Sequence, residues 1–206
     1  MHNSVDAALD LSVMEHFYTI QGEGYYQGAA AYFVRLGGCD VGCTWCDVKE
    51  SWDAAAHPTM SVQAIVEAVV QARAPLCVIT GGEPLMHNLD ALTTALQQKN
   101  IKTNIETSGT HPLSGNWNWI CLSPKRFKPC LPQVCAQANE LKVVVYHKND
   151  FRFAEEYAAQ VGPHCRLFLQ PEWSQRETIT PLLIDYVKQH PQWQISLQLH
   201  KYLNVP

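Results

Sequence analysis

The stretch SVQAIVEAVVQARAPLCVITGGEP, residues 61–84, decides the fold. It holds one complete helix-then-strand unit. Ser61 stands where an N-cap belongs, because its hydroxyl can accept a backbone N–H that the first helical turn leaves without a partner. Val62, Ile65, Val66, Val69 and Val70 then recur at helical spacing and form one apolar stripe. Residues 76–80, Leu-Cys-Val-Ile-Thr, form a short apolar run that reads as a buried strand. Gly81-Gly82-Glu83-Pro84 ends it.

The same alternation continues outward in both directions. Residues 32–36 read as a strand before this unit. After it, Leu89, Leu92, Ala95 and Leu96 mark a second helix, and residues 101–106 a third strand. Residues 119–122, 141–146 and 166–169 are three further strands, with a helical segment near 151–160 between the last two. Thr180-Pro181 opens another helix, cap then proline at the first turn. Pro191 closes it, and residues 193–200 form a last strand. This order predicts an α/β fold, a parallel sheet covered by outer helices. A closed eightfold barrel typically needs about 250 residues. The 206 residues here carry too few elements, so an incomplete TIM-type barrel is expected, with a doubly wound sheet as the other candidate. No linker or repeat interrupts the chain, which predicts a single domain over residues 1–206.

In either architecture, polar residues at the C-terminal strand ends gather on one face. Five such ends stand out: Cys39-x3-Cys43-x2-Cys46, Thr80 with Gly81-Gly82-Glu83, Glu106-Thr107-Ser108-Gly109, Ser123-Pro124-Lys125, and Gln170-Pro171. Their shared position argues for one site.

Composition narrows the function. Hydrophobic residues make up 47% of the chain, so a substantial core is expected. Net charge is -4 with both signs scattered, and no basic run points to direct nucleic-acid binding. No apolar run approaches the length of a membrane span. The N-terminus Met1-His2-Asn3-Ser4-Val5-Asp6 lacks the regions of a signal peptide. A cytoplasmic protein is expected, and in a reducing compartment its eight cysteines are not read as disulfides. Cys77, Cys121 and Cys165 sit in apolar runs and read as small buried hydrophobes. Cys130-x4-Cys135 is a candidate fourth ligand or second metal site.

The clamp Cys39, Cys43, Cys46 admits three readings. A thioredoxin-type pair would use Cys43 and Cys46 and leave Cys39 unexplained. Structural zinc wants four ligands, often as paired C-x2-C units, and no second pair is present. A cubic 4Fe-4S cluster held by three thiolates has one open iron, because clusters held by cysteine alone usually use four. An open iron can bind a substrate or cofactor.

C-x3-C-x2-C with an aromatic residue before the last cysteine resembles the radical S-adenosylmethionine (SAM) superfamily. That resemblance implies that the open iron chelates the amino and carboxylate groups of SAM, and that one electron cleaves its sulfonium to give a 5′-deoxyadenosyl radical. Gly81-Gly82-Glu83-Pro84, about 35 residues on, is similar to the superfamily's SAM-amino motif. Four further segments carry a closer likeness: Phe17-Tyr18-Thr19-Ile20-Gln21-Gly22-Glu23-Gly24, Glu106-Thr107-Ser108-Gly109-Thr110, Ser123-Pro124-Lys125 and His200-Lys201-Tyr202-Leu203-Asn204-Val205-Pro206. Together they resemble the 7-carboxy-7-deazaguanine synthase family over nearly the whole chain.

This resemblance implies a homodimeric partial barrel that converts 6-carboxy-5,6,7,8-tetrahydropterin to 7-carboxy-7-deazaguanine with loss of ammonia, toward queuosine. It implies a low-potential electron donor such as a flavodoxin. It places the cluster on Cys39, Cys43 and Cys46. SAM is expected at Trp45, Cys46, Asp47, Gly82, Glu83, Ser123, Pro124, Lys125, Gln170, Pro171, Glu172 and Trp173. Substrate is expected at Ile20, Gln21, Gly22, Arg35, Thr80 and Pro206, with Glu106 and His200 positioning it and no catalytic side chain. Arg35 would grip a carboxylate, and Glu106 would accept from the N–H edge of the ring. Each polar member also has a plainer reading: a surface arginine, a strand-end carboxylate, a turn glutamine, a core histidine, a solvated lysine. Pro206 would fold back and offer its carboxylate.

One position departs from the family pattern. A Thr or Ser commonly follows the Cys-Asp pair and helps bind Mg2+, which prefers oxygen ligands. Here it is Val48, with Asp47 and Lys49 as neighbours that could compensate, so weak or absent Mg2+ dependence is expected. Two other readings stand beside the synthase. A glycyl-radical activating enzyme shares the cysteine spacing but is not expected to carry the Gln21 and His200 segments. A non-enzymatic metal-binding module would be colourless with zinc.

Overall fold

The computed structural model describes residues 10–44, 46 and 48–206. Its elements in chain order are β1 (Asp10–Ile20), β2 (Ala30–Leu36), β3 (Thr59–Ser61), α1 (Val62–Gln71), β4 (Leu76–Gly81), α2 (Asp90–Gln98), β5 (Lys102–Thr107), β6 (Trp119–Leu122), α3 (Pro132–Gln137), β7 (Glu140–Val145), α4 (Asp150–Ala158), β8 (Arg166–Pro171), α5 (Arg176–Gln189), β9 (Trp193–Ile195) and α6 (Leu199–Leu203). One sheet contains every strand in the order β3-β1-β2-β4-β5-β6-β7-β8-β9. From β2 to β9 all neighbours are parallel. The two ends do not meet, so the sheet is an open barrel rather than a closed one.

The unit at residues 61–84 folds as read. The Ser61 hydroxyl accepts from the Ala64 N–H at 3.2 Å and caps α1. Ile65, Val66 and Val69 bury the stripe, and Leu76, Cys77, Val78 and Ile79 are buried in β4. Outward-facing side chains of the sheet pack under the helices in two clusters. Val34, Cys77, Ile79 and Ile105 meet α1 and α2 in one. Leu141, Val143, Val145 and Leu169 meet α3, α4 and α5 in the other. The intervening residues of each strand face the barrel interior, as the period of two requires.

Four elements differ from expectation. The sheet is not purely parallel: β1 runs antiparallel to β2, and β3 antiparallel to β1. The register of β1 shifts between Val13 and Glu15, so its alternation breaks midway and hides the strand. The helix expected from Thr180 begins four residues earlier and contains Pro181. The side chain of Glu172 accepts from the Ser174 N–H at 3.0 Å and starts a 3₁₀ turn that runs straight into it. The last strand stops at Ile195, and residues beyond it turn into α6.

Cys77 and Cys121 are fully buried, as expected, while Cys165 is only partly so. Cys130 and Cys135 lie in the second cluster with sulfurs 2.6 Å apart.

Candidate active site

The C-terminal ends of β2, β4, β5, β6, β7 and β8 open into one cavity of about 300 Å³. Cys39, Cys43 and Cys46 all line it. The loop that carries them follows β2 and is pinned by its backbone: Gly38 N–H donates to Ser51 O at 2.7 Å and Cys39 N–H to Trp52 O at 3.1 Å. The backbone N–H groups of Val41 and Gly42 favour the charged form of the Cys39 thiol. Gly42 has φ +74, and a Cβ there would meet nothing, so glycine is needed for backbone conformation alone. Burial pushes the Cys39 and Cys43 thiols up, and the neighbouring Cys46 sulfur adds to both; Lys125 works against the shift at Cys43.

This donor set fits an iron–sulfur cluster. It is all sulfur, the soft ligand that iron–sulfur clusters take, and it lies in a partly buried loop, which helps set cluster potential. Structural zinc takes four ligands, and the clamp supplies three. Neither Cys130 nor Cys135 lines the cavity, which leaves the clamp without a fourth cysteine there.

Gly81 and Gly82 line the cavity and also have a task within the chain. A Cβ on Gly81, at φ +136, would collide with the Leu36 carbonyl, and one on Gly82 with the Gly38 carbonyl. The pair lets the β2 loop, and therefore the clamp, lie against β4. Gly82 N–H donates to Leu36 O at 3.0 Å and Glu83 N–H to Gly38 O at 2.8 Å. Glu83 is 1% exposed. Its carboxylate accepts from Leu85 N–H at 3.0 Å, the Thr107 hydroxyl at 2.5 Å, and Ser108 N–H and hydroxyl at 2.8 and 2.5 Å. A carboxylate has about four lone-pair sites. All are engaged by the chain, so Glu83 braces the β4 end to the β5 end.

The floor of the cavity is charged. Lys142, on β7, is 4% exposed and bridges Glu23 Oε2 at 2.7 Å and Glu106 Oε2 at 2.8 Å. Gln21 Nε2 donates to Glu106 Oε1 at 3.1 Å, and Gln198 Nε2 to Glu23 Oε1 at 3.0 Å. Burial alone would raise the Glu23 carboxyl. The Lys142 charge and hydrogen bond, with Gln198 and His200, outweigh it and hold Glu23 down at about 2. On the side wall, Arg35 Nε is held by Glu15 at 2.7 Å, so a two-pronged grip on a ligand would use its Nη groups.

The C-terminal segment closes the rim. Leu199 N–H donates to Gly22 O at 2.9 Å, and Thr19 Oγ1 donates to Pro206 O at 3.2 Å. Trp173 holds Tyr202 edge-on, with ring centroids 5.2 Å apart. A Cβ on Gly22 would overlap the His200 ring. Gly22→Ala is therefore expected to lift α6 off the rim, destabilising the protein by about 1–3 kcal/mol and weakening ligand binding. Thermal unfolding and a binding titration of the same variant check both halves.

Of the expected site residues, the cavity gathers Ile20, Gln21, Gly22, Arg35, Val48, Thr80, Gly82, Glu83, Glu106, Ser123, Lys125, Gln170, Glu172, Trp173, His200 and Pro206 with the three cysteines. Pro124 and Pro171 do not line it; each alternates with a lining neighbour. Trp45 and Asp47 lie outside the described residues. Sequence reading missed Glu23, Lys142 and Gln198. Glu23 was quoted within a motif without a role. Lys142 stands between Leu141 and Val143 in the buried strand Glu140–Val145, and a lysine inside a buried parallel strand is itself a signal.

Known proteins resemble this arrangement. A family model described as the Radical SAM superfamily matches residues 33–120. The 7-carboxy-7-deazaguanine synthase of Flavobacterium psychrophilum is 55% identical over 196 residues, covering 95% of this chain and 93% of that protein. The chain belongs to the 7-carboxy-7-deazaguanine synthase family. The family member from Synechocystis sp. is 46% identical, covering 94% of this chain and 92% of its own. The crystal structure of QueE from Escherichia coli superposes with a TM-score of 0.84 at 33% identity, covering 93% of this chain and 95% of that one. The open barrel is thus the fold of the family, and the doubly wound alternative is set aside. No helix among the described residues is long and apolar enough to cross a membrane.

Proposed function

We propose that this protein is a cytoplasmic radical SAM enzyme that converts 6-carboxy-5,6,7,8-tetrahydropterin to 7-carboxy-7-deazaguanine and releases ammonia, on the way to queuosine and related 7-deazapurines. One observation carries the reading: a single cavity joins a three-thiol clamp to an arginine wall and a carboxylate floor. Cys39, Cys43 and Cys46 would hold a 4Fe-4S cluster. Gly82, Ser123, Lys125, Gln170, Glu172 and Trp173 would line the SAM side. Bound there, cluster and SAM supply a hydrogen-abstracting radical.

The chain's own work is orientation. Arg35 takes the substrate carboxylate, and Glu106 with Gln21 faces the N–H edge of the ring. His200 and Pro206 close the rim and exclude water. Holding the reacting atoms at near-attack distance replaces much of the entropic cost of the encounter. A homodimer of single-domain protomers, reduced by a flavodoxin-like donor, completes the proposal.

Magnesium does not fit the described residues well. The Val48 side chain has no oxygen, and its carbonyl already accepts the Ser51 N–H at 3.1 Å and hydroxyl at 2.7 Å. Lys49 is exposed and does not line the cavity. The test is anaerobic turnover with 6-carboxytetrahydropterin, SAM and a low-potential reductant, with Mg2+ or with a chelator. Product and ammonia in equal amounts are expected, at rates within about threefold of each other across the two arms. Brown, cluster-loaded protein that makes no product would turn the reading toward a different small radical SAM enzyme. A rate that collapses with chelator would overturn the magnesium part alone.

A further inference from the structure

We propose that Lys142 is a positioning residue: its ammonium clamps Glu23 and Glu106 into one fixed pair of acceptors facing the ring edge of the substrate. This rests on the pterin reading above. The clamp is a closed circuit. Lys142 Nζ donates to Oε2 of each carboxylate, at 2.7 and 2.8 Å. Gln21 Nε2 donates to Glu106 Oε1 at 3.1 Å, and the Glu23 N–H returns to Gln21 Oε1 at 3.1 Å. Strands β5 and β7 and the segment after β1 are thereby tied at one point, at the cavity floor.

Each carboxylate oxygen has two lone-pair sites. The lysine takes one site on each Oε2, and the two glutamines take one on each Oε1. Acceptor capacity remains on both groups, and both line the cavity. Two carboxylates with oxygens within 2.8 Å of one nitrogen would repel each other without the cation between them. With it they keep one residual negative charge, a match for an edge rich in N–H donors.

A structural role alone explains this poorly. Burying an ion pair in a barrel interior adds little or no stability over packed apolar groups, and the residues flanking Lys142 in β7, Leu141 and Val143, are apolar. The lysine lies where it meets the ligand space. The other charged or titratable groups facing this point are the Cys121 thiol on β6, Glu140 on β7, Lys125 after β6 and His200 on α6. Burial would lower the Lys142 ammonium, but Cys121, Glu106, Glu23 and Glu140 outweigh burial and hold it well above its usual range. Glu140 accepts from the Tyr25 N–H at 3.1 Å and the Trp119 Nε1–H at 2.8 Å, whereas Lys142 donates to Glu23 and Glu106, so these two are the lysine's hydrogen-bonded carboxylates.

The test compares Lys142→Met, Lys142→Gln and Lys142→Arg with the parent, all cluster-loaded. Loss of the cation should raise the pterin KM by roughly 10- to 100-fold, the scale of one charge-assisted hydrogen bond, with a smaller fall in kcat and SAM binding unchanged. The sign in pH follows. Without the ammonium one carboxyl of the pair takes a proton nearer neutrality, and a protonated carboxyl donates where an acceptor is needed. Pterin KM should therefore fall as pH rises from 6 to 8 in Lys142→Met and Lys142→Gln and stay flat in the parent, with Lys142→Arg recovering most of the affinity. Folded variants with parental KM and a flat profile would overturn the proposal. A second readout needs no substrate: in ¹³C-glutamate spectra the Glu23 titration should move up from about 2 in Lys142→Met. A titration left in place would sink the clamp even if the pterin proved to be the wrong substrate. Failure of the parent to turn over the pterin would count against the function and not against the clamp.

Discussion

Replacing Cys39, Cys43 or Cys46 with alanine is expected to give a folded, colourless protein with turnover below roughly one-thousandth of the parent rate, since on the proposed reading the hard chemistry belongs to the cofactor these thiols would hold. Iron and sulfide content after anaerobic reconstitution should fall with activity. The fold should persist because the loop is held by its backbone, through Gly38 to Ser51, Cys39 to Trp52, and Gly82 and Glu83 back to Leu36 and Gly38. None of the three thiols belongs to the large packed clusters. Cys130→Ala is the matched control. It removes a buried thiol from the second cluster and costs some stability, but colour and rate should stay, because Cys130 does not line the cavity. A clamp variant that kept both cluster and turnover would remove the basis of the functional reading.

How much was legible from sequence depended on whether a residue's partners lay nearby in the chain. The α1–β4 unit was readable because Ser61 caps its own helix and the apolar stripe repeats every turn. The cysteines were readable because their spacing is local. The last strand was misread for a long-range reason. Residues 193–200 alternate as a strand should, but the polar Ser196 is fully buried. Its hydroxyl donates to Gln170 Oε1 at 2.7 Å and accepts the Gly24 N–H at 2.9 Å, while its own N–H donates to Leu169 O at 2.9 Å. Side-chain bonds of this kind compete with a ladder, and the chain turns into α6, which brings His200 and Pro206 to the rim. The charged floor was hidden in the same way. Glu23, Glu106 and Lys142 are far apart in sequence, and only the parallel register of β5, β6 and β7 stacks the two strand residues on one interior face. Gly81-Gly82-Glu83-Pro84 is legible as a motif from its local residues, whereas its internal task depends on Leu36, Gly38, Thr107 and Ser108, which lie far off in the chain.

That internal task makes Glu83 the second position of large effect. Glu83→Ala is expected to destabilise the protein by about 4 kcal/mol, because it strands several buried donors at once and each unsatisfied group costs about 1–3 kcal/mol. The Leu85 and Ser108 N–H groups lose their acceptor, and the Thr107 and Ser108 hydroxyls must find new ones. Ser108 can turn toward Thr110, whose hydroxyl already lies 3.1 Å away, which keeps the loss below the sum of the parts. Glu83→Gln should cost less, roughly half. One oxygen still accepts, and the hydroxyls can rotate to accept from the new amide, but an amide NH₂ set against the Ser108 N–H pairs donor with donor. The two variants separate shape from charge in urea unfolding, where the midpoint should fall in the order parent, Gln, Ala at a constant slope. Function should fall faster than stability. Glu83 joins β4 to β5, and its own N–H holds the Gly38 carbonyl at 2.8 Å, one residue before the first clamp cysteine. Loosening it moves Cys39 relative to the SAM side, so cluster retention should drop in Glu83→Ala under conditions where the protein remains folded. A variant with parental unfolding midpoint and full cluster would show that the four hydrogen bonds to Glu83 are dispensable.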